Sequence, residues 1–105
     1  MKAKSNSDNE QPAPVRFGGR FVILKHDHTF VHWDLLLEAE GALRSWRLLA
    51  EPRPDLIMTA QPLPDHRLHY LDYEGPVSGG RGTVSRWDRG HHTTLQTSVQ
   101  TTVNV

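Results

Sequence analysis

The 105-residue chain contains no cysteine. Neither a disulfide nor a thiolate metal site can form, so any metal would have to be held by imidazole and carboxylate. Long apolar runs are missing too. None exceeds the four residues Phe21–Leu24, whereas roughly 20 are needed to cross a bilayer as a helix. Residues 1–15 lack the apolar segment of a secretory signal. They read instead as a polar tail of Lys, Ser, Asn and Gln closed by Pro12 and Pro14, too poor in apolar side chains to offset the entropy of ordering it. The expectation is one cytoplasmic domain over residues 16–105, with no membrane partner. An excess of one charge is also lacking. Twelve basic residues face twelve acidic ones, and removing the tail takes two of each sign. A dedicated non-specific nucleic-acid binder is usually basic, and this chain is not.

Histidine is what the chain does have: seven residues, five of them in two short clusters at 26–32 and 66–69. The first lies between stretches with strand character. Arg20–Lys25 is β-branched and aromatic, Asp27-His28-Thr29 interrupts it as a turn, and Val31–Glu38 resumes as a second strand. On that strand His32, Asp34 and Leu36 share one face, and Trp33, Leu35 and Leu37 the other. Glu40-Gly41 signals a turn into a third strand, Ala42–Leu49, which predicts an antiparallel hairpin. Pro52 and Pro54 mark a loop. Residues 56–64, with Pro62 and Pro64, are ambiguous. Asp65–Tyr73 suggests a short helix with Asp65 as N-cap. Gly79–Gly82 forms a loop, Thr83–Trp87 returns to strand, and the alternation in residues 91–105 is compatible with strand. Short strands and frequent turns predict a mainly β fold, a small antiparallel barrel with one or two short helices. Its three tryptophans, Trp33, Trp46 and Trp87, are expected to pack in the core.

Three groups of residues carry chemistry. His26, His32 and Asp34 have the spacing of two imidazoles and a carboxylate brought together by adjacent strand ends, an open site for Mn²⁺, Zn²⁺ or Fe²⁺. By spacing alone the same residues read more readily as the solvent-facing polar side of a half-exposed strand. His66 and Tyr70, at i and i+4 if helical, can address one anion together, or are an incidental surface pair. Gly79–Thr83 offers backbone N–H groups and the Arg81 guanidinium to a phosphate, or is a plain hairpin loop. It lacks the lysine and the following helix of a P-loop.

The blocks Arg20–Thr29, Val31–Glu38, Gly41–Trp46, Asp65–Gly75 and Gly82–Gly90 follow one another in the order of the 3′-phosphoesterase domain of bacterial DNA ligase D, which the chain resembles over roughly residues 20–90. That resemblance implies a compact β-barrel that trims 3′ ends of DNA or RNA–DNA strands in DNA repair. Such a domain uses a divalent metal, typically manganese, and removes a 3′-terminal ribonucleoside and then the 3′-phosphate. It implies His26, His32 and Asp34 as metal ligands and His66 and Tyr70 as groups that engage the scissile phosphate. A DNA ligase or other end-joining proteins would be partners. No polymerase or ligase domain accompanies the five blocks, so a free-standing relative is expected.

Two departures stand out. Leu36 occupies the position where the family carries an arginine, two residues beyond the ligand aspartate. Losing that guanidinium would cost about 1.5–3 kcal/mol of phosphate contact. Arg81 is the candidate substitute, and Leu36→Arg is expected to raise activity. Residues 93–105 resemble the family's closing hairpin poorly, which suggests a C-terminal truncation. Two functions remain open: a metal-dependent 3′-phosphoesterase, or a weak or inactive module that binds nucleic-acid ends with the same fold and metal site.

Overall fold

The computed structural model describes residues 13–105, so most of the expected polar tail lies outside the described residues. The chain runs β1 (Val15–His26), β2 (His32–Ala39), β3 (Ala42–Leu48), β4 (Ala60–His66), a 3₁₀ turn at Leu68–Leu71, β5 (Gly75–Pro76), β6 (Thr83–Gln96) and β7 (Thr101–Asn104). All strands join one antiparallel sheet in the order β4-β3-β2-β1-β6-β5. β7 pairs with the far half of β6. Register breaks between Ile23 and Leu24 and between Leu43 and Ser45 increase the local twist. The sheet curls into a half-barrel with almost no helix.

The hairpins explain the register. Glu40 and Gly41 both have positive φ, 51° and 82°, the signature of a two-residue turn whose twist matches its strands. Counting outward from Ala39↔Ala42 then fixes Leu35↔Trp46 and Asp34↔Arg47. β1 meets β2 from Phe21↔Leu37 to His26↔His32. Beyond Phe21 the two strands part, and the Arg20 N–H is taken by the Glu38 carboxylate at 2.8 Å. β4 contains both Pro62 and Pro64 and lies at the sheet edge, where a missing backbone donor costs no ladder bond.

Both faces of the sheet bury apolar residues. One face gathers Val22, Leu24, Leu36, Leu43 and Val84 under Leu71 of the 3₁₀ turn. The other gathers Phe21, Leu37 and Trp46. The alternation expected for β2 is therefore observed. Three expectations are corrected. Asp65 and His66 extend β4 and do not open a helix: His66 pairs with Leu43, and only Leu68–Leu71 turn, with Arg67 as an N-cap that makes no side-chain bond. Nine residues are too few to nucleate a helix in competition with strand pairing. Trp87 is 40% exposed and stands edge-on to Trp33, with the Lys25 ammonium 6.0 Å from its ring, so it lies outside the core.

Leu36 is the third correction. It shares a face with Asp34, as its spacing requires, but it is fully buried between Val22 and Leu71. Leu36→Arg would drive a guanidinium into this cluster with no carboxylate to meet it, at a cost of about 3 kcal/mol. The expected outcome is a large drop in melting temperature and no gain in activity. An unchanged melting curve, read by circular dichroism, would place residue 36 outside the core.

His92 is buried beside Phe17. Its Nε2–H donates to the Glu38 carbonyl at 3.4 Å, and its Nδ1 accepts from the Thr94 hydroxyl at 2.7 Å. Burial pushes its pKa below the ordinary 6.5, only partly offset by the Glu38 carbonyl and carboxylate. A depressed folded-state pKa means that the unfolded chain binds the extra proton first. The His92 contribution to stability is therefore complete above about 6.5 and is lost as pH falls below it. Melting temperatures measured from pH 7.5 to 5, with chelator present, should fall more steeply for the wild type than for His92→Gln. Parallel curves would show that His92 is not responsible.

Candidate metal centre

The β1–β2 hairpin ends with His26 directly opposite His32, and Asp34 follows on the same face. The two ring centroids lie 4.8 Å apart. His26 Nδ1 is 3.4 Å from Asp34 Oδ2, and His32 Nε2 is 3.2 Å from Asp34 Oδ1. One ligand atom from each residue falls within 4.8 Å of the others. The two imidazoles and the carboxylate singled out in the sequence thus converge on one point.

Backbone carbonyls orient both rings. A carbonyl can only accept, so each ring nitrogen facing one must carry the proton. His32 Nδ1–H donates to Phe30 O at 3.0 Å, and His26 Nε2–H donates to Arg81 O at 2.7 Å. In the neutral rings this leaves the lone pairs of His32 Nε2 and His26 Nδ1 aimed at a carboxylate that can only accept. His32 Nε2 and Asp34 Oδ1 are accordingly buried without a hydrogen-bond partner. Acceptor facing acceptor is costly in a buried site, and a cation between them removes the conflict. The donor set fits a divalent ion, with carbonyl bonds behind the imidazoles of the kind that orient metal-bound histidines.

Around these residues opens a cleft of about 530 Å³. His66, at the end of β4, and Tyr70, in the 3₁₀ turn, both line it, with their rings edge-to-face at 5.6 Å. The structure therefore brings this pair to the site by strand end and turn and not along one helix face. His66 Nδ1–H is committed to Pro64 O at 3.1 Å, leaving Nε2 available. Arg81 also borders the cleft, but its guanidinium is engaged by its own turn, bonding Ser78 O at 2.7 Å and Ser78 Oγ at 3.1 Å. What Arg81 contributes is the carbonyl that holds His26. Leu36 does not line the cleft. One lining residue that the sequence reading passed over is Arg47, opposite Asp34 on β3. The signal was present: Glu40-Gly41, read as a two-residue turn, pairs residues 34 and 47 by counting.

The β5–β6 turn that carries Arg81 depends on Gly82. Its φ is 77°, and an added Cβ would collide with the Asp27 carboxylate and the His28 side chain. That close approach lets Asp27 Oδ1 accept from Thr83 N at 2.8 Å, tying the β1–β2 loop to β6. Gly82→Ala should destabilise the domain by about 2 kcal/mol and, by shifting Arg81 O away from His26, weaken divalent-ion affinity. Thermal melts and Mn²⁺ titration check both effects. Unchanged values in both would show that the turn does not position the ring.

Comparison with known proteins bears on the whole arrangement. The sequence profile of the DNA Ligase D 3′-phosphoesterase domain matches residues 24–104, and so reaches past the blocks noted above through β7. The multifunctional non-homologous end joining protein LigD of Pseudomonas aeruginosa is 38% identical over 81 residues, covering 72% of this chain and 10% of the relative. The multifunctional non-homologous end joining DNA repair protein LigD of Mycobacterium tuberculosis is 36% identical over 85 residues, covering 73% of this chain and 11% of the relative. The chain thus spans about a tenth of the length of these relatives. With a half-barrel built to bring two imidazoles and a carboxylate together, and a profile match over most of its length, the chain belongs to the DNA ligase D 3′-phosphoesterase domain family.

Proposed function

We propose that this chain is a metal-dependent phosphoesterase that processes 3′ ends of DNA or RNA–DNA strands, releasing a 3′-terminal ribonucleoside and then the 3′-phosphate. The observation that carries the reading is the pair of buried, unpartnered acceptors, His32 Nε2 and Asp34 Oδ1, in a cleft shared with His66 and Tyr70. His26, His32 and Asp34 would hold the ion, for which manganese is the proposed identity by family resemblance. When bound, a divalent ion supplies Lewis-acid polarisation of a phosphoryl oxygen. His66 presents a single nitrogen, Nε2, to hold or deliver a proton at the leaving oxygen. The Tyr70 hydroxyl donates to a phosphate oxygen as charge develops. The relatives are named for non-homologous end joining. A DNA ligase or another end-joining protein is therefore the partner proposed, in the cytoplasm. Among the described residues no helix is long and apolar enough to cross a membrane.

The leucine at position 36, where the family carries an arginine, favours a second reading. A site lacking a guanidinium from β2 would recognise ends and turn them over slowly or not at all. Phosphate release from a 3′-phosphorylated oligonucleotide separates the two. With Mn²⁺, wild type should release phosphate, chelator should abolish release, and His32→Ala should lower it by about 100-fold or more while weakening Mn²⁺ binding. His66→Ala should lower turnover by about 100-fold with Mn²⁺ affinity unchanged. Release that persists undiminished with chelator would sink the metal-dependent mechanism. Specific end binding with no release under any condition would leave the binding module.

A further inference from the structure

Three arginines border the cleft: Arg47, Arg67 and Arg81. Arg81 is tied to Ser78, and Arg67 is exposed at the rim. Arg47 differs from both. It sits within β3, paired with Asp34 on one side and Gln61 on the other, so its Cα is held by two ladders. The side chain is half-buried, and its Nε is fully enclosed without a hydrogen-bond partner. Among the described residues the guanidinium has no ion-pair or hydrogen-bond partner of any kind. Its natural partner would be Asp34, on the same face of the neighbouring strand, with Cα atoms about 5 Å apart. Yet Asp34 directs its two oxygens at the two imidazoles. Among the described residues, a guanidinium in that position has no counter-ion.

The geometry points to Arg47 as an anion-binding residue of the site, donating to oxygens of a terminal phosphate monoester held beside the ion. This rests on the phosphoesterase reading and extends it. Charge supports the assignment. A divalent ion with Arg47, Arg67 and Arg81, set against Asp34 and Asp65, leaves the cleft positive, which favours a phosphate monoester, near two negative charges at neutral pH, over a diester with one. The planar fork matches two phosphate oxygens at once, which an ammonium cannot do. Placement on a paired strand, and not on the loop that carries Arg81, means that little order must be gained on binding. The cationic contact thus comes from β3, across the ladder from the ligand aspartate, while position 36 of β2 is closed by the core.

The test compares wild type, Arg47→Gln and Arg47→Lys. Mn²⁺ affinity is read by electron paramagnetic resonance. Calorimetry gives the affinity of the Mn²⁺-loaded protein for inorganic phosphate and for oligonucleotides ending in 3′-phosphate or 3′-hydroxyl. Arg47→Gln should bind phosphate and the 3′-phosphate end about tenfold more weakly or worse. It should keep its Mn²⁺ affinity and its weak binding of the 3′-hydroxyl end. Arg47→Lys should recover part of the loss. If Arg47→Gln fails to fold, Arg47→Lys decides alone: weaker phosphate binding at unchanged Mn²⁺ affinity supports the assignment, and wild-type binding overturns it. Phosphate binding unchanged in Arg47→Gln overturns the role of Arg47 and leaves the phosphoesterase reading standing. A parallel loss of Mn²⁺ affinity also overturns it, because Arg47 would then act through the metal ligands. A wild type that binds neither phosphate nor a 3′-phosphate end overturns both readings together.

Discussion

Two backbone carbonyls decide what this sheet can do. Phe30 O and Arg81 O each take the proton-bearing nitrogen of one imidazole, so in the neutral rings the other nitrogen of each faces Asp34 as an acceptor. Much of the fold serves that arrangement. The β1–β2 hairpin sets His26 opposite His32. Asp27 ties the hairpin loop to Thr83, and the absence of a side chain at Gly82 brings the β5–β6 turn close enough for Arg81 O to reach His26. The long pairing of β1 with β6, from Val15↔Gln96 to His26↔Val84 with one register break at Ile23/Leu24, holds both halves of this assembly together.

Legibility in the sequence followed the range of the interactions involved. The period-2 alternation of β2 gave the faces of His32, Asp34 and Leu36 correctly, because strand geometry is local. The turn at Glu40-Gly41 was readable for the same reason, and it contained more than was taken from it, since its two-residue length also fixes Asp34 against Arg47. What was not readable depended on distant packing. Leu36 is core because residues distant in the chain pack around it, Val22 on β1, Leu43 on β3 and Leu71, 35 residues later. Asp65–Tyr73 had a plausible cap and spacing for a helix, yet pairing of His66 with Leu43 claimed its first residues for the sheet edge. Trp87 has the composition of a core residue and the position of an outer-face one, stacked edge-on with Trp33.

Position 36 illustrates how a pattern can be right about direction and wrong about surroundings. A side chain two residues beyond Asp34 does point to the Asp34 face, but that face is not uniform. Toward the hairpin end it opens into the cleft, and toward the middle of the sheet it is sealed by Val22, Leu43 and Leu71. The boundary between cleft and core falls between residues 34 and 36. A cation that must reach the cleft is therefore better placed one strand over than two residues along, which is where Arg47 stands.

The same boundary has an energetic side. A small domain with no disulfide has little stability to spare, and unpartnered buried acceptors such as His32 Nε2 and Asp34 Oδ1 cost about 1–3 kcal/mol each. Hydrophobic residues at 32 and 34 would relieve that cost and close the hairpin end as tightly as Leu36 closes the middle. Instead the sequence keeps two imidazoles and a carboxylate there, with β-sheet pairing on both sides to hold them. An ion that binds only this preformed arrangement returns the cost as folding stability. Arg47 follows the same logic one step further out: on the proposed reading, its guanidinium, unpartnered among the described residues, would be matched by the anion it is proposed to hold. On that reading both features would trade stability of the free domain for complementarity to a charged ligand, and both sit on strands, where that complementarity is held at the smallest entropic cost.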